Sequence, residues 1–251
     1  GLERYDGLVF DEIGESDSQF SSLGVVNDLL VDHSGDIWIG TNGNGVFKFQ
    51  YKTNDLKRIV TSGPNCKMEA LWINTLFEDE EHRIWIGTTT GLYTFDPIDS
   101  CFSHYSHDPN DVSSLSSNNV RSIGADADSQ IWVGTWDKGL NLLNEKTKHF
   151  TRFHKDNVEG LSRNTIRCIE LLPSGRFMVG TDEGGREIKR IQGEYQFTSP
   201  ISEAQIIEMS LRDLRVLSME GDKEESLWLG TENNGLFLLN LHDSQVTQFV
   251  N

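Results

Sequence analysis

Five times along the chain, a short apolar segment ends in the pair Gly-Thr and leads into a polar turn that contains glycine. The pairs lie 47, 47, 46 and 50 residues apart, at Gly40-Thr41, Gly87-Thr88, Gly134-Thr135, Gly180-Thr181 and Gly230-Thr231. Each unit also has an apolar stretch upstream and an aromatic or β-branched stretch downstream. A period of about 40–50 residues with four short strands is typical of β-propeller blades. Apolar residues alternate with a period nearer 2 than 3.6, which disfavours helical repeats.

The sequence therefore predicts an all-β fold, a β-propeller of four-stranded antiparallel blades. Turn residues in the first full unit place strand A at 26–32, strand B at 37–41, strand C at 46–50 and strand D at 56–60. The predicted blades are 25–64 (blade 1), 65–112 (blade 2), 113–158 (blade 3), 159–199 (blade 4, degenerate) and 200–251 (blade 5).

Residues 1–24 predict strands C and D of an incomplete blade. Residues 1–6 match the start of strand C at 91–96, and Leu8–Ile13 has the pattern of a strand D. We expect the chain to be a segment of a larger, seven-bladed propeller. The alternatives are a ring that stays open, or an edge that is shared with another molecule.

One position of strand B is tryptophan in units 1, 2, 3 and 5, and methionine, Met178, in unit 4. The tryptophans are Trp38, Trp85, Trp132 and Trp228. A large aromatic side chain repeated once per blade is expected to be a wedge between neighbouring sheets. A ladder of tryptophans that binds a ligand is the alternative.

Charge makes two classes of partner unfavourable. The chain has 22 basic and 39 acidic residues, a formal net charge of −17, which opposes nucleic acid and anionic lipid. No apolar run approaches the length of about 18 residues that suggests a membrane span. The first ten residues, GLERYDGLVF, lack the regions of a signal peptide. We predict no nucleic-acid partner and no direct membrane contact by this segment, and expect any targeting segment outside it.

Residues that would support catalysis or metal binding are not arranged in a recognisable pattern. Cys66, Cys101 and Cys168 lack metal-site spacing, and we expect buried thiols that pack as small apolar groups. The close pair His104/His107 has no evident third ligand. The sequence contains no GxSxG elbow and no P-loop. We predict no catalytic residue, no metal and no cofactor.

Acidic pairs offer a weaker, enzymatic alternative. Asp79/Glu80 and Asp126/Asp128 fall in predicted A–B turns, where aspartate commonly caps the turn. Two carboxylates support glycoside hydrolysis only when they face each other across a cleft at a defined separation.

Two sequence elements carry a family resemblance. The blade motif DHSGDIWIGTNGNGV and the linker HDPNDVSSLSSNNVRSI resemble the two-component regulator propeller repeat, and the resemblance extends over nearly the whole chain. Blade 4 departs from the pattern, because FMVGTDEGGREIKR lacks the tryptophan and the Gly-Leu pair.

The resemblance implies a function. In this family the repeats form the periplasmic sensor region of inner-membrane hybrid two-component histidine kinases of Bacteroidetes, which detect glycan fragments. It therefore implies an extracytoplasmic, non-enzymatic segment that binds an oligosaccharide or another small molecule, within a parent histidine kinase. The alternatives are a structural or dimerisation module without a small-molecule ligand and, less favoured, a propeller lyase or glycosidase.

The predicted ligand site lies where the innermost strands A begin. Alignment on the strand-B tryptophan gives one equivalent position per blade: Asn27, Asn74, Arg121, Arg167 and, if the A–B turn of blade 5 has a two-residue insertion, Arg215. Arginine forks suit carboxylates and sugar hydroxyls, so an acidic sugar fits this ring. Trp72, Trp136 and Asp137 are expected on the same face, with an indole available to a sugar ring. The structural alternatives are arginines bonded to loop carbonyls or neighbouring acids, and tryptophans buried in the core.

Overall fold

The computed structural model describes residues 3–5, 8, 10–12, 23–60, 66–161, 163–200, 214–223 and 225–249 of the 251-residue chain. Every regular element in these residues is a β-strand. A search of the same residues finds no helix of the length and apolarity needed to span a membrane. Part of the predicted incomplete blade lies outside the described residues, namely Gly1, Leu2, Asp6, Val9 and Ile13 of its two strands. Residues 201–213 and Val250 of the predicted blade 5 also lie outside them.

The chain divides into two compact units, and the first comprises residues 1–106. It contains an antiparallel hairpin of β1 (Glu3–Tyr5) and β2 (Phe10–Glu12). Blade 1 consists of β3 (Val26–Val31), β4 (Ile37–Thr41), β5 (Val46–Gln50) and β6 (Asp55–Arg58). Blade 2 consists of β7 (Ile73–Glu78), β8 (Ile84–Thr88), β9 (Gly91–Asp96) and β10 (Cys101–Tyr105).

The second unit comprises residues 107–251 and contains three sheets within its described residues. Blade 3 consists of β11 (Val120–Ala125), β12 (Ile131–Thr135), β13 (Leu140–Asn144) and β14 (His149–Phe153). Blade 4 consists of β15 (Ile166–Leu171), β16 (Phe177–Thr181), β17 (Gly184–Ile191) and β18 (Glu194–Thr198). Blade 5 consists of β19 (Val216–Gly221), β20 (Ser226–Thr231), β21 (Leu236–Asn240) and β22 (Val246–Phe249).

The predicted fold class is confirmed: the chain is all-β, with the four-stranded antiparallel blades of a β-propeller. Strands B and C of blade 1 have the predicted bounds, whereas strand D begins one residue earlier and ends two residues earlier than predicted. In every blade the register slips at the second residue of strand A, as between Val120 and Ser122. This irregularity turns the start of strand A away from the regular ladder.

The strand-B tryptophans are packed as predicted in blades 1–3. Trp38, Trp85 and Trp132 are at most 2% exposed, which excludes the ligand-ladder alternative for them. The Trp132 ring lies 5.5 Å from the ring of Phe177 and 5.0 Å from that of Tyr195, both in blade 4. The indole therefore joins two neighbouring sheets.

An aspartate at the start of the A–B turn anchors each of these indoles. Asp126 Oδ1 accepts the backbone N–H groups of Asp128 and Gln130, and its Oδ2 accepts Trp132 Nε1 at 2.8 Å. The equivalent indole bonds join Trp38 to Asp32 at 2.9 Å and Trp85 to Asp79 at 2.6 Å. One carboxylate thus closes the turn and satisfies a buried N–H group. Asp79 and Asp126, considered above as members of acidic pairs, have this structural role.

Blade 4 replaces both partners of this hydrogen bond. Leu172 stands at the aspartate position and is 3% exposed, and Met178 stands at the tryptophan position and is fully buried. The adjacent strand carries a buried carboxylate, Glu187, which accepts hydrogen bonds from Arg176 at 3.0 and 2.8 Å. Blade 4 therefore departs from the repeat sequence but forms a different set of contacts, in which its buried carboxylate has hydrogen-bond donors.

The prediction of three free thiols is wrong for two of them. Cys66 and Cys101 form a disulfide that joins the segment before β7 to β10. Only the fold brings these residues together, because they are 35 positions apart in sequence. Cys168 is a free cysteine, and burial raises its pKa to about 12, so this thiol packs as an inert apolar group.

A carboxyl group on the innermost strand of blade 4 is expected to make stability depend on pH. Burial, and secondly the negative charge of Glu220 on β19, raise the pKa of Glu170 from 4.5 to about 7. Between these two values the folded chain binds more protons than the unfolded chain, so the stability that neutral Glu170 contributes is lost as the pH rises toward 7.

We therefore expect Glu170→Gln to raise the thermal unfolding midpoint at pH 8 and to change it little at pH 5. Glutamine stays neutral at both values and keeps the shape of the side chain. The exposed Glu194 on β18 is the matched position, and Glu194→Gln is expected to give the same small change at both pH values. Equal effects of Glu170→Gln at the two pH values would contradict the assignment.

Candidate functional site

Blade 3 brings the start of strand A next to the B–C loop. Because β11 and β12 are antiparallel, Val120 pairs with Thr135, and the Trp136 N–H donates to the Asn119 carbonyl at 3.0 Å. The loop is held in place by the Thr135 hydroxyl, which donates to the Gly139 carbonyl at 2.8 Å. Gly139 has a φ of 81°, which favours glycine. These contacts fix the backbone of Trp136, whose side chain is 40% exposed.

Two arginines lie against this indole. The guanidinium carbons of Arg121 on β11 and Arg167 on β15 are 4.7 and 4.9 Å from the centroid of the Trp136 ring. These distances are within the range of about 6 Å for cation–π attraction. The structure therefore brings together three of the predicted ligand residues, and the indole holds two guanidinium groups that repel each other.

Only one of the two guanidinium groups is neutralised by an acid. Arg167 Nε donates to Asp182 Oδ1 at 2.5 Å. Arg121 makes no hydrogen bond or ion pair with the described residues, and its buried Nε lacks a partner there. Burial, and then the charge of Arg167, lower the pKa of Arg121, although a guanidinium group stays protonated in proteins. Two cations facing one carboxylate leave a local positive charge in an acidic protein.

Other polar atoms without a partner lie close to Arg121 in sequence. Within the described chain, the buried side-chain atoms without a hydrogen-bond partner are Ser116 Oγ, Asn119 Oδ1, Arg121 Nε and Ser122 Oγ. Buried polar atoms are nearly always hydrogen-bonded, and leaving one unpaired costs about 1–3 kcal/mol. All four atoms lie between residues 116 and 122, at the start of strand A of blade 3 and in the segment before it.

A polar cavity of about 450 Å³ adjoins the same loop. It lies between the segments that precede strands A of blades 3 and 4, and its lining includes Lys138 and Ser116, whose Oγ has no hydrogen-bond partner in the described chain. Its other cationic lining residue, Arg152, donates to the carbonyls of Asp111 and Ser114 at 2.9 Å and so shapes the wall. The size is typical of small-molecule pockets. Sequence patterns did not indicate this cavity, because its walls are irregular loops.

The remaining predicted residue of this loop, Asp137, is exposed. Its carboxylate makes no hydrogen bond or ion pair with the described part of the chain, and its role in ligand binding stays a prediction.

The predicted residues of the first unit lie in other surroundings. Asn27 Nδ2 donates to the Ile73 carbonyl at 2.8 Å and so bridges blades 1 and 2. Asn74 on β7 is half-buried and already engaged in an interaction. Trp72 is 56% exposed, which excludes the core alternative for it, and its backbone forms a bridge with Asn42.

The assumption that placed Arg215 in the ring is wrong. Val31 pairs with Ile37 across the A–B turn of blade 1, and Gly221 pairs with Leu227 in blade 5, so the two turns have equal length and no insertion is present. The position equivalent to Arg121 is therefore Leu217. Arg215 lies two residues earlier, is exposed, and pairs with Glu232 at 2.6 Å.

The histidine pair considered for metal binding has other contacts. His104 Nε2 lies 3.0 Å from the Thr90 carbonyl, and its ring is stacked on Tyr93. His107 Nδ1 lies 2.8 Å from the Leu115 carbonyl. Each imidazole therefore has a hydrogen-bond partner within its own unit.

A family model for the two component regulator propeller matches residues 20–43, 68–90 and 114–137. Each match covers strand A, the A–B turn and strand B of one blade, including the aspartate and tryptophan that bond to each other. Blades 1–3 each contain one match to the two component regulator propeller model. The third of these matches ends at Asp137 and so contains Arg121 and Trp136. No curated protein matches the chain.

Solved structures share the fold at low sequence identity. The extracellular domain of a putative hybrid two component system from B. thetaiotaomicron is 20% identical, with a TM-score of 0.56, over 91% of this chain and 35% of that one. PorZ, a surface component of the type-IX secretion system of Porphyromonas gingivalis, is 18% identical, with a TM-score of 0.66, over 90% and 33%.

Virginiamycin B lyase from Staphylococcus aureus is 12% identical, with a TM-score of 0.62, over 91% of this chain and 70% of the lyase. The chain thus spans about a third of the length of the first two structures. At these identities the three likenesses show the fold alone.

Proposed function

We propose that this chain is an extracytoplasmic, non-enzymatic sensor segment of a hybrid histidine kinase, and that blade 3 binds an oligosaccharide that carries a carboxylate. Three blades match a family named for two component regulators, and a similar fold occurs in the extracellular domain of such a system. The Cys66–Cys101 disulfide supports an oxidising compartment, because disulfides persist mainly outside the cytoplasm.

The single observation that carries the proposed ligand class is the unpaired guanidinium of Arg121. It is partly buried, lies 4.7 Å from the Trp136 ring and has no acid partner in the described chain. A carboxylate on the ligand would accept hydrogen bonds from this fork and offset its repulsion with Arg167. Further sugars have room in the cavity beside Lys138 and Ser116.

The test is calorimetric titration of the 251-residue chain with galacturonate oligosaccharides and with neutral galactose oligosaccharides of the same length. We expect the acidic series to bind more tightly. Arg121→Ala is expected to weaken its binding about 10- to 100-fold, since hydrogen bonds to charged groups contribute about 1.5–3 kcal/mol. Trp136→Ala is expected to weaken binding at least about tenfold, because it releases both guanidinium groups from a cation–π contact.

Lys146 in the C–D turn of blade 3 provides the matched control. It is exposed and lies at the opposite end of the same blade, so Lys146→Ala removes one positive charge without touching the candidate site. Binding should be unchanged in this variant. Equal affinity for acidic and neutral oligosaccharides, or an unaltered affinity in Arg121→Ala, would contradict the proposed ligand class, and binding of neither series would contradict glycan sensing at this site.

A further inference from the structure

A second cluster of side chains lies in the first unit, at the A–B turns of blades 1 and 2. His33 follows β3, Glu78 ends β7, and His82 lies in the turn that leads to β8. One nitrogen from each histidine and one carboxylate oxygen all lie within 4.8 Å of one another. The cluster is separate from the proposed ligand site, whose residues are all in the second unit.

The contacts in this cluster are directed at one oxygen atom. Glu78 Oε1 lies 2.5 Å from His33 Nδ1 and 3.2 Å from His82 Nδ1. The other carboxylate oxygen is held by the backbone N–H of His33 at 2.8 Å. The Glu78 side chain is only 13% exposed, so this carboxylate has a fixed orientation with Oε1 presented to both imidazoles.

We propose that His33, Glu78 and His82 form a binding site for a divalent transition metal of the zinc type. Two imidazoles and one carboxylate are a recurrent zinc ligand set that leaves a fourth position open. Tetrahedral bonds of about 2.0–2.1 Å separate ligand atoms by about 3.3 Å, which matches the contact between Glu78 and His82. The His33–Glu78 contact of 2.5 Å is shorter than this separation, so His33 must shift away from Glu78, and its side chain is 46% exposed.

The two rings now stack with centroids 3.6 Å apart and an interplanar angle of 22°. The lone pairs of stacked rings do not converge, so metal binding requires the imidazoles to turn toward each other about Glu78. Their side chains are 46% and 50% exposed, so each imidazole has an open side toward solvent into which it can turn. His33 Nε2 lies 3.1 Å from the Ser34 hydroxyl, an outer contact that favours Nδ1 as the metal ligand. The bound ion would tie together the turns of two blades.

The experiment is calorimetric titration of zinc sulfate into the metal-stripped, tag-free 251-residue chain. We expect one zinc ion per chain and no binding of Mg²⁺, a hard cation that prefers oxygen ligands. Loss of an outer-shell partner alone lowers affinity about 10- to 100-fold. His33→Ala and His82→Ala should therefore each lower zinc affinity at least about 100-fold. Zinc should also raise the thermal unfolding midpoint of the wild type and not that of the variants.

Two further variants keep the result decisive. Glu78→Gln retains the size of the side chain but removes the anionic ligand, and it should weaken zinc binding to a similar extent. His149→Ala removes an exposed histidine of β14 and should leave zinc affinity unchanged. The proposal is overturned if the wild type takes up no zinc, or if the double variant His33→Ala/His82→Ala binds zinc as tightly as the wild type.

Discussion

Replacement of Trp132 by alanine is expected to lower the free energy of unfolding by about 3–5 kcal/mol, the range for removal of a buried tryptophan. The indole is fully buried and lies against Phe153 of its own blade and Phe177 and Tyr195 of the next. Its removal leaves a cavity between two sheets and deprives Asp126 of a hydrogen-bond donor. Urea denaturation, followed by circular dichroism, measures the change.

Two variants separate the causes of this loss. Trp132→Phe keeps most of the apolar volume but removes the Nε1 donor. We expect it to lower the free energy of unfolding by about 1–3 kcal/mol, because the Asp126 carboxylate loses a hydrogen-bond donor. Trp72→Ala is the exposed control, and we expect a change within about 0.5 kcal/mol. A loss below about 1 kcal/mol in Trp132→Ala would show that this residue is not a wedge between blades.

Loss of the Cys66–Cys101 disulfide is expected to lower the free energy of unfolding by about 3–4 kcal/mol. The bridge joins residues 35 positions apart, and a cross-link of that span reduces the entropy of the unfolded chain by about this amount. The double variant Cys66→Ser/Cys101→Ser should show the full effect in urea denaturation. Wild-type protein in a reducing agent should show the same shift.

The reducing agent itself provides the control for that measurement. The double variant has no disulfide to lose, so adding reductant to it should leave its unfolding midpoint unchanged. If reductant leaves the wild-type midpoint unchanged as well, the bridge contributes nothing to the stability of the first unit.

The sequence was sufficient for the architecture because propeller blades repeat. Gly-Thr spacing located strand B in each unit, and the recurrent tryptophan indicated packing between sheets, which the burial of Trp38, Trp85 and Trp132 confirms. The hydrogen bond between tryptophan and aspartate was missed. Its signal was nonetheless present, since Leu172 and Met178 replace both residues in the same unit.

Other features depend on contacts that no local pattern encodes. The disulfide was missed because two of three cysteines meet only in the folded first unit. The placement of Arg215 was wrong because an insertion was assumed that the equal A–B turns exclude. The cluster of His33, Glu78 and His82 was missed because the fold joins two turns that lie one blade apart in sequence.

The arginines also show which features repeat alignment predicts and which it does not. Repeat alignment correctly placed Arg121 and Arg167 at one position of neighbouring innermost strands. It did not predict that both would share the Trp136 ring, or that Asp182 would pair with only one of them. That asymmetry decides which arginine is available to a ligand, and it depends on side-chain positions.

The bond between an aspartate and an indole inside each of blades 1–3 has a consequence for how such repeats diverge. Each of these buried polar groups finds its hydrogen-bond partner within its own repeat. Replacing either residue alone therefore leaves the other without a partner, whereas replacing both by aliphatic side chains leaves no unpaired group. Blade 4, with Leu172 and Met178, has the outcome of such a joint exchange. The neighbouring blade 3 keeps its own pair, so one repeat can drift from the consensus without forcing drift in the next.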